Sequence, residues 1–155
     1  FVVDHLLRID RRIGGNLAHA LEPVCRHRYR LGGGLALGRH RRQHARQLIE
    51  VSPNARASLK VALGGGRTYF LPNTVSDPEY ATTKGRRTDG RNLVAEWGST
   101  RGTLGSTAYA WNKAQFDAVD PTSTRYLLGL FEPSHVQYEA DKAVDPAGEP
   151  TLTER

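Results

Sequence analysis

Apolar residues fall in short runs along the chain, and each run breaks off sharply. Leu59, Val61 and Leu63 lead into Gly64–Gly66 and Arg67. That pattern predicts a buried strand over Leu59–Leu63, then a tight turn where a Cβ would clash. Tyr126–Phe131 predicts a second buried strand, stopped by Glu132-Pro133. Two apolar strands that give way to glycine or acid predict an open α/β sheet with a site at the strand ends. Ala45, Leu48 and Ile49 stand at helical spacing and predict a helix over Arg42–Val51, ended by Ser52-Pro53-Asn54. Leu93, Val94 and Trp97 predict another over Asn92–Trp97, with Asp89 as its cap. Gly98–Thr107 reads as a loop and Ala108–Trp111 as a short strand. Asn112 is placed to cap a helix holding Phe116 and Val119, ended by Asp120-Pro121. The alternation argues for parallel strands with helices across the faces.

The first third is different. Val2, Val3, Leu6, Leu7 and Ile9 suit a short amphipathic helix, closed by Gly14-Gly15. From Leu21 to His44 neither helical nor strand periodicity lasts. Arg26, His27, Arg28, Arg30, Arg39, His40, Arg41, Arg42 and His44 surround the run Gly32–Gly38. The formal charge of the 155-residue chain is +6, but it is unevenly spread. Residues 1–60 carry 12 Lys+Arg and 4 Asp+Glu, a net +8, and the remainder carries 10 and 12, a net −2. Residues 1–46 therefore read as a separate basic, poorly ordered segment. Three readings stand for it: a solvated basic stretch, an arm for nucleic acid, or sequence from a shifted reading frame. Within Leu21–His44 only Tyr29 offers a ring for base stacking, which argues against the arm.

Composition narrows the chemistry. No run is long enough to cross a membrane, and the start lacks the order of a signal peptide. The chain begins at Phe1 and contains no Met, as expected of an internal piece of a longer protein. Cys25 is alone, so no internal disulfide forms. His40 and His44 share a helix face, but Arg41 stands where a zinc-binding His-Glu-x-x-His motif needs Glu. Gly64–Arg67 resembles a phosphate loop only in its glycines, because Thr68-Tyr69 follows where Lys and Ser/Thr are required. No nucleophile motif of the Gly-x-Ser-x-Gly kind occurs. Asp77 and Glu79 flank Pro78 in the loop Leu71–Lys84, either as solvated charges or as oxygen ligands for a hard cation. A second acidic loop, Ala140–Pro150, holds Asp141, Asp145 and Glu149.

Several motifs together are more specific than any one. Val61-Ala-Leu-Gly-Gly-Gly-Arg67, Asp77-Pro-Glu-Tyr80, Asp89-Gly-Arg-Asn-Leu-Val-Ala-Glu-Trp97 and Leu128-Gly-Leu-Phe-Glu-Pro133 follow one another in this order. Tyr109-Ala-Trp-Asn112 and Gly148-Glu-Pro-Thr-Leu152 accompany them. In order and spacing, residues 47–155 resemble part of an animal alkaline phosphatase domain, closest to the invertebrate membrane-anchored members. The resemblance implies hydrolysis of phosphate monoesters through a phosphoserine, with two zinc ions and a magnesium ion. It implies a homodimer on the extracellular face of the plasma membrane, held by a lipid anchor, with no nucleic-acid partner. The nucleophilic Ser and the zinc and magnesium ligands are implied to lie outside this chain, so it is expected to be inactive alone. The family's phosphate-gripping Asn-Arg-x-Trp motif is absent from the first third. One site is implied within the chain: a calcium ion held by Glu79, the carbonyl of Phe131, Glu132 and Glu149. The alternative is a non-catalytic basic protein that binds nucleic acid through residues 1–46.

Overall fold

A computed structural model of the chain describes residues 34–138, 141, 142, 145 and 147–151. The sequence expectations for residues 1–33, including the amphipathic helix and Cys25, lie outside the described residues.

Three parallel strands form the centre. They are β1 (Val61–Gly64), β2 (Thr107–Ala110) and β3 (Tyr126–Leu130), in the spatial order β1-β3-β2. The register sets Leu63 against Gly129 on one side and Tyr109 against Leu128 on the other. β3 is central and almost wholly buried, which explains its unbroken apolar run in place of an alternating one. The chain is α/β as expected, although β1 begins two residues later than Leu59.

Helices pack along the sheet. α1 spans Gly34–Glu50, α2 Pro53–Ser58, α3 Leu93–Gly102 and α4 Lys113–Asp117, with a 3₁₀ turn at Arg67–Tyr69. Ala45 and Ile49 of α1 and Leu93 and Trp97 of α3 share one core with Ala62, Tyr69, Phe70, Tyr126, Leu128 and Leu130. Phe116 of α4 meets Phe131 edge to face, with centroids 5.7 Å apart.

Three helix expectations need correction. α1 begins at Gly34, well before the expected Arg42. Once Ala45 and Ile49 are buried, each further residue adds a hydrogen bond without a new nucleus, so the helix extends into glycine- and arginine-rich sequence. Ser52-Pro53-Asn54 ends α1 but also starts α2: Ser52 Oγ accepts from Ala55 N, and Pro53 takes the first turn. α3 is capped by Asn92, whose side chain accepts from Ala95 N at 3.1 Å, and not by Asp89, which accepts from Arg91 N. It runs on to Gly102 through the expected loop. Ser99 and Thr100 turn their hydroxyls back onto the Ala95 and Glu96 carbonyls, so these groups are satisfied within the helix and do not compete for it from a turn. Asn112 caps α4 as expected, accepting from Gln115 N at 2.8 Å.

The glycine turn after β1 does two things. Gly66 adopts a left-handed φ of 84° that reverses the chain into the 3₁₀ turn. Gly65 lies so close to residues 134–136 that a Cβ would stand 2.8 Å from the Ser134 carbonyl oxygen. This approach locks the end of β1 against the segment that leaves β3. Arg67 N donates to the Glu132 carbonyl, and Thr68 Oγ1 to that of Pro133.

Candidate metal centre

Arg67 leaves the glycine turn pointing into the protein, where it is fully buried. Its Nε and Nη2 grip Asp77 at 2.8 and 2.7 Å, a bidentate fork. Nη2 also donates to Glu79 Oε2 at 2.8 Å. Nη1 donates to the carbonyls of Trp111 and Leu130, just beyond β2 and at the end of β3. Asp77 in turn accepts the N–H groups of Glu79 and Tyr80, which winds residues 77–80 into a tight turn. Burial pushes the Asp77 carboxyl up, but the Arg67 bonds and charge and the two N–H groups outweigh it and hold the group below its usual range.

Glu79 reaches from this turn towards the end of β3. There it meets Glu132 and Asp145, with one oxygen of each within 4.8 Å of the others. Glu132 is 4% exposed. Glu79 Oε1, Glu132 Oε1 and Asp145 Oδ2 are buried and have no hydrogen-bond partner. Leaving one buried polar atom unpaired costs about 1–3 kcal/mol, so three carboxylate oxygens together are a large unmet demand for positive charge. The electrostatics agree. Burial, then the charges of Glu79, Asp145 and Glu149, push the Glu132 carboxyl up to about 8. Glu79 is also raised, by burial and by Asp145, against the lowering pull of Arg67. Tyr80 is pushed up to about 12 by burial and by the same acids.

The donors are all oxygen. They suit a hard cation such as calcium or magnesium, and lack the His or Cys ligands that zinc favours. Of the four residues expected to hold calcium, Glu79 and Glu132 come together directly. Phe131 lies buried next to Glu132 at the end of β3. Glu149 is buried nearby, with Oε1 accepting from Gln137 N at 2.7 Å. The third carboxylate of the group is Asp145, which the sequence reading noted only as a loop acid. In the sequence Arg67 only closes a glycine turn that does not fit a phosphate loop, and its grip on Asp77 and Glu79 is not expected from that pattern.

The basic residues of α1 that the structure describes are engaged internally. Arg41 donates to the Tyr69 hydroxyl at 3.1 Å and Arg42 to the Arg86 carbonyl, while Arg46 pairs with Glu50. Arg87 donates to the Arg42 carbonyl and pairs with Asp89.

The alkaline phosphatase family model matches residues 32–155. The chain belongs to the alkaline phosphatase family. It is 44% identical over 111 residues to the membrane-bound alkaline phosphatase of Bombyx mori, covering 71% of this chain and 19% of that protein. It is 44% identical over 108 residues to an alkaline phosphatase of Gadus morhua, covering 66% of this chain and 22% of the relative. To the tissue-nonspecific alkaline phosphatase of Gallus gallus it is 36% identical over 113 residues, or 71% and 21% of the two chains. The chain thus spans about a fifth of the length of the curated relatives it matches. No helix among the described residues is long and apolar enough to cross a membrane.

Proposed function

We propose that this chain is the calcium-binding part of a phosphomonoesterase. Glu79, Glu132 and Asp145 supply carboxylate oxygens, and the Phe131 carbonyl completes the oxygen donors at the end of β3. In this reading Asp145 is the acid of the C-terminal loop that faces the ion, and Glu149 braces Gln137 beside it. The three unpartnered carboxylate oxygens carry the proposal. A divalent cation satisfies all three and returns Glu132 to its ionised form. Its effect is structural: it ties the 77–80 turn, the end of β3 and the C-terminal acidic loop into one unit.

Phosphate-monoester hydrolysis through a phosphoserine belongs, on this proposal, to a longer polypeptide with zinc and magnesium sites of its own. Family membership and the share of the relatives' length support it. No step of phosphoryl transfer is assigned to a residue of this chain, and the chain alone is expected to be inactive. Association with the outer membrane surface through a lipid anchor, and a homodimeric state, are part of the same proposal. The name of the Bombyx mori relative, a membrane-bound alkaline phosphatase, supports membrane association alone.

Calorimetric titration of calcium into the 155-residue chain tests the site. One saturable site is expected, weakened strongly by Glu132→Gln. Absence of binding at millimolar calcium overturns the calcium reading. Chelator-sensitive turnover of a phosphomonoester by the pure chain overturns the expectation of inactivity.

A further inference from the structure

We propose that Arg67 is a positioning residue that limits Glu79 to a single cation-facing oxygen. The inference rests on the calcium reading of the acidic group and concerns how that group is built.

A guanidinium has five N–H donors, and all five of Arg67 are placed. Nε takes one oxygen of Asp77, and Nη2 takes the other together with Glu79 Oε2. Nη1 takes the Trp111 and Leu130 carbonyls. Two consequences follow. Asp77 has both oxygens committed, and is held away from the cation although it lies two residues from a ligand. Glu79 has Oε2 committed and Oε1 unpartnered. Oε1 is therefore the oxygen turned to an ion, and the Arg67 bond opposes the rotation that would bring Oε2 onto it as well.

The same side chain fixes where that oxygen stands. Glu79 comes from a long loop, whereas Glu132 follows β3 directly. Arg67 bonds Glu79 with one arm and the carbonyl at the end of β3 with another. The spacing between the two carboxylates is thus set through the guanidinium and not by the loop. In the ion-free protein the arrangement also opposes the mutual repulsion that would drive Glu79 away from Glu132 and Asp145. Lysine would keep the charge but could not make this fork.

The test uses terbium, which occupies oxygen sites of the calcium kind, with the full 155-residue chain. Affinity is measured for wild type, Arg67→Lys, Glu79→Gln and the double variant. Arg67→Lys is expected to weaken binding about 10–100-fold, as loss of an outer-shell partner does. In the Glu79→Gln background it is expected to have little further effect, because Arg67 acts through Glu79. Luminescence lifetimes in H₂O and D₂O count the waters on the ion. With Glu79 released to bind through both oxygens, Arg67→Lys is expected to lose about one bound water.

A general structural role predicts otherwise: equal losses in both backgrounds and an unchanged water count, and that result overturns the proposal. If Arg67→Lys does not fold, Glu79→Gln alone decides: its single amide oxygen leaves the water count unchanged where Arg67 already holds Glu79 to one oxygen, and a rise of about one water overturns the proposal. A wild-type chain that binds no terbium overturns the calcium reading itself. Binding with an additive cycle overturns only the role of Arg67.

Discussion

Arg67 and Arg101 are both fully buried, yet their surroundings are opposite. Arg67 meets two carboxylates and two carbonyls. Burial works against its charge, but the bonds and charge of Asp77 and Glu79 win and hold it charged. Arg101, on α3, lies with its guanidinium carbon 4.3 Å from the centre of the Trp97 ring and has one long bond, 3.4 Å, to the Leu48 carbonyl. Its Nε and Nη1 have no partner. Burial, then the neighbouring Arg56, push it down to about 10. One cation completes a polar site; the other is stabilised by an aromatic face and carries an unmet desolvation cost. A buried charge therefore says nothing about stability until its partners are named.

The contrast has measurable consequences. Asp77→Ala is expected to cost about 3–5 kcal/mol in urea unfolding, because it leaves Arg67 buried with only part of its compensation. The pH dependence follows from the sign of the Asp77 shift. Its folded pKa is depressed, so its contribution is complete above the unfolded value near 3.9 and fades as pH falls through the folded one. The gap between wild type and Asp77→Ala should thus be constant at neutral pH and close in acid. A gap that does not narrow at all between about pH 4 and pH 2 would mean that the lost stability is packing.

Saturating calcium tests the acidic end of the same network. At a hundred times the dissociation constant it is expected to add about 2.7 kcal/mol to unfolding of the wild type, and much less to Glu132→Gln. Equal stabilisation of both would place the ion elsewhere. Arg101→Met is expected to act with the opposite sign from the Asp77 change. Replacing an uncompensated guanidinium by an apolar chain of similar length should stabilise the protein by about 1–2 kcal/mol. A loss instead would show that the Trp97 contact outweighs the desolvation. The smallest effect is expected for Asn92→Ala, about 1 kcal/mol from the lost cap of α3. A much larger loss in a thermal melt would mean that the cap, and not the burial of Leu93 and Trp97, holds the helix that carries Arg101.

The central strands were legible because buried parallel strands read as apolar runs, and Asn112 because capping is local chemistry. Only the second half of α3 was not, since Gly98, Ser99 and Thr100 look like loop until the Ser99 and Thr100 hydroxyls are seen to bond one turn back. The early start of α1 was hidden in the same way, because helix can propagate from a buried anchor into sequence with no periodicity of its own. Glu79 and Glu132 were reached through family resemblance, not spacing. Asp145 was one of several acids in its loop, and nothing in their order says which turns inward. Arg67 offered one usable signal: an arginine closing a glycine turn, with Asp77-Pro78-Glu79 ten residues on. A buried guanidinium needs carboxylates, and those are the nearest pair along the chain.

The strand order β1-β3-β2 bears on how the chain behaves in a test tube. Among the described residues β3 is paired on both sides, whereas β1 and β2 each offer one row of main-chain N–H and C=O groups with no neighbouring strand. Val61 on β1 is 44% exposed, so that margin also presents an apolar side chain. Such margins are templates for another strand, whether from a longer polypeptide or from a second molecule. At high concentration the chain should therefore self-associate through them, and a lysine at Val61 is the change most suited to keep it monomeric without touching the acidic site.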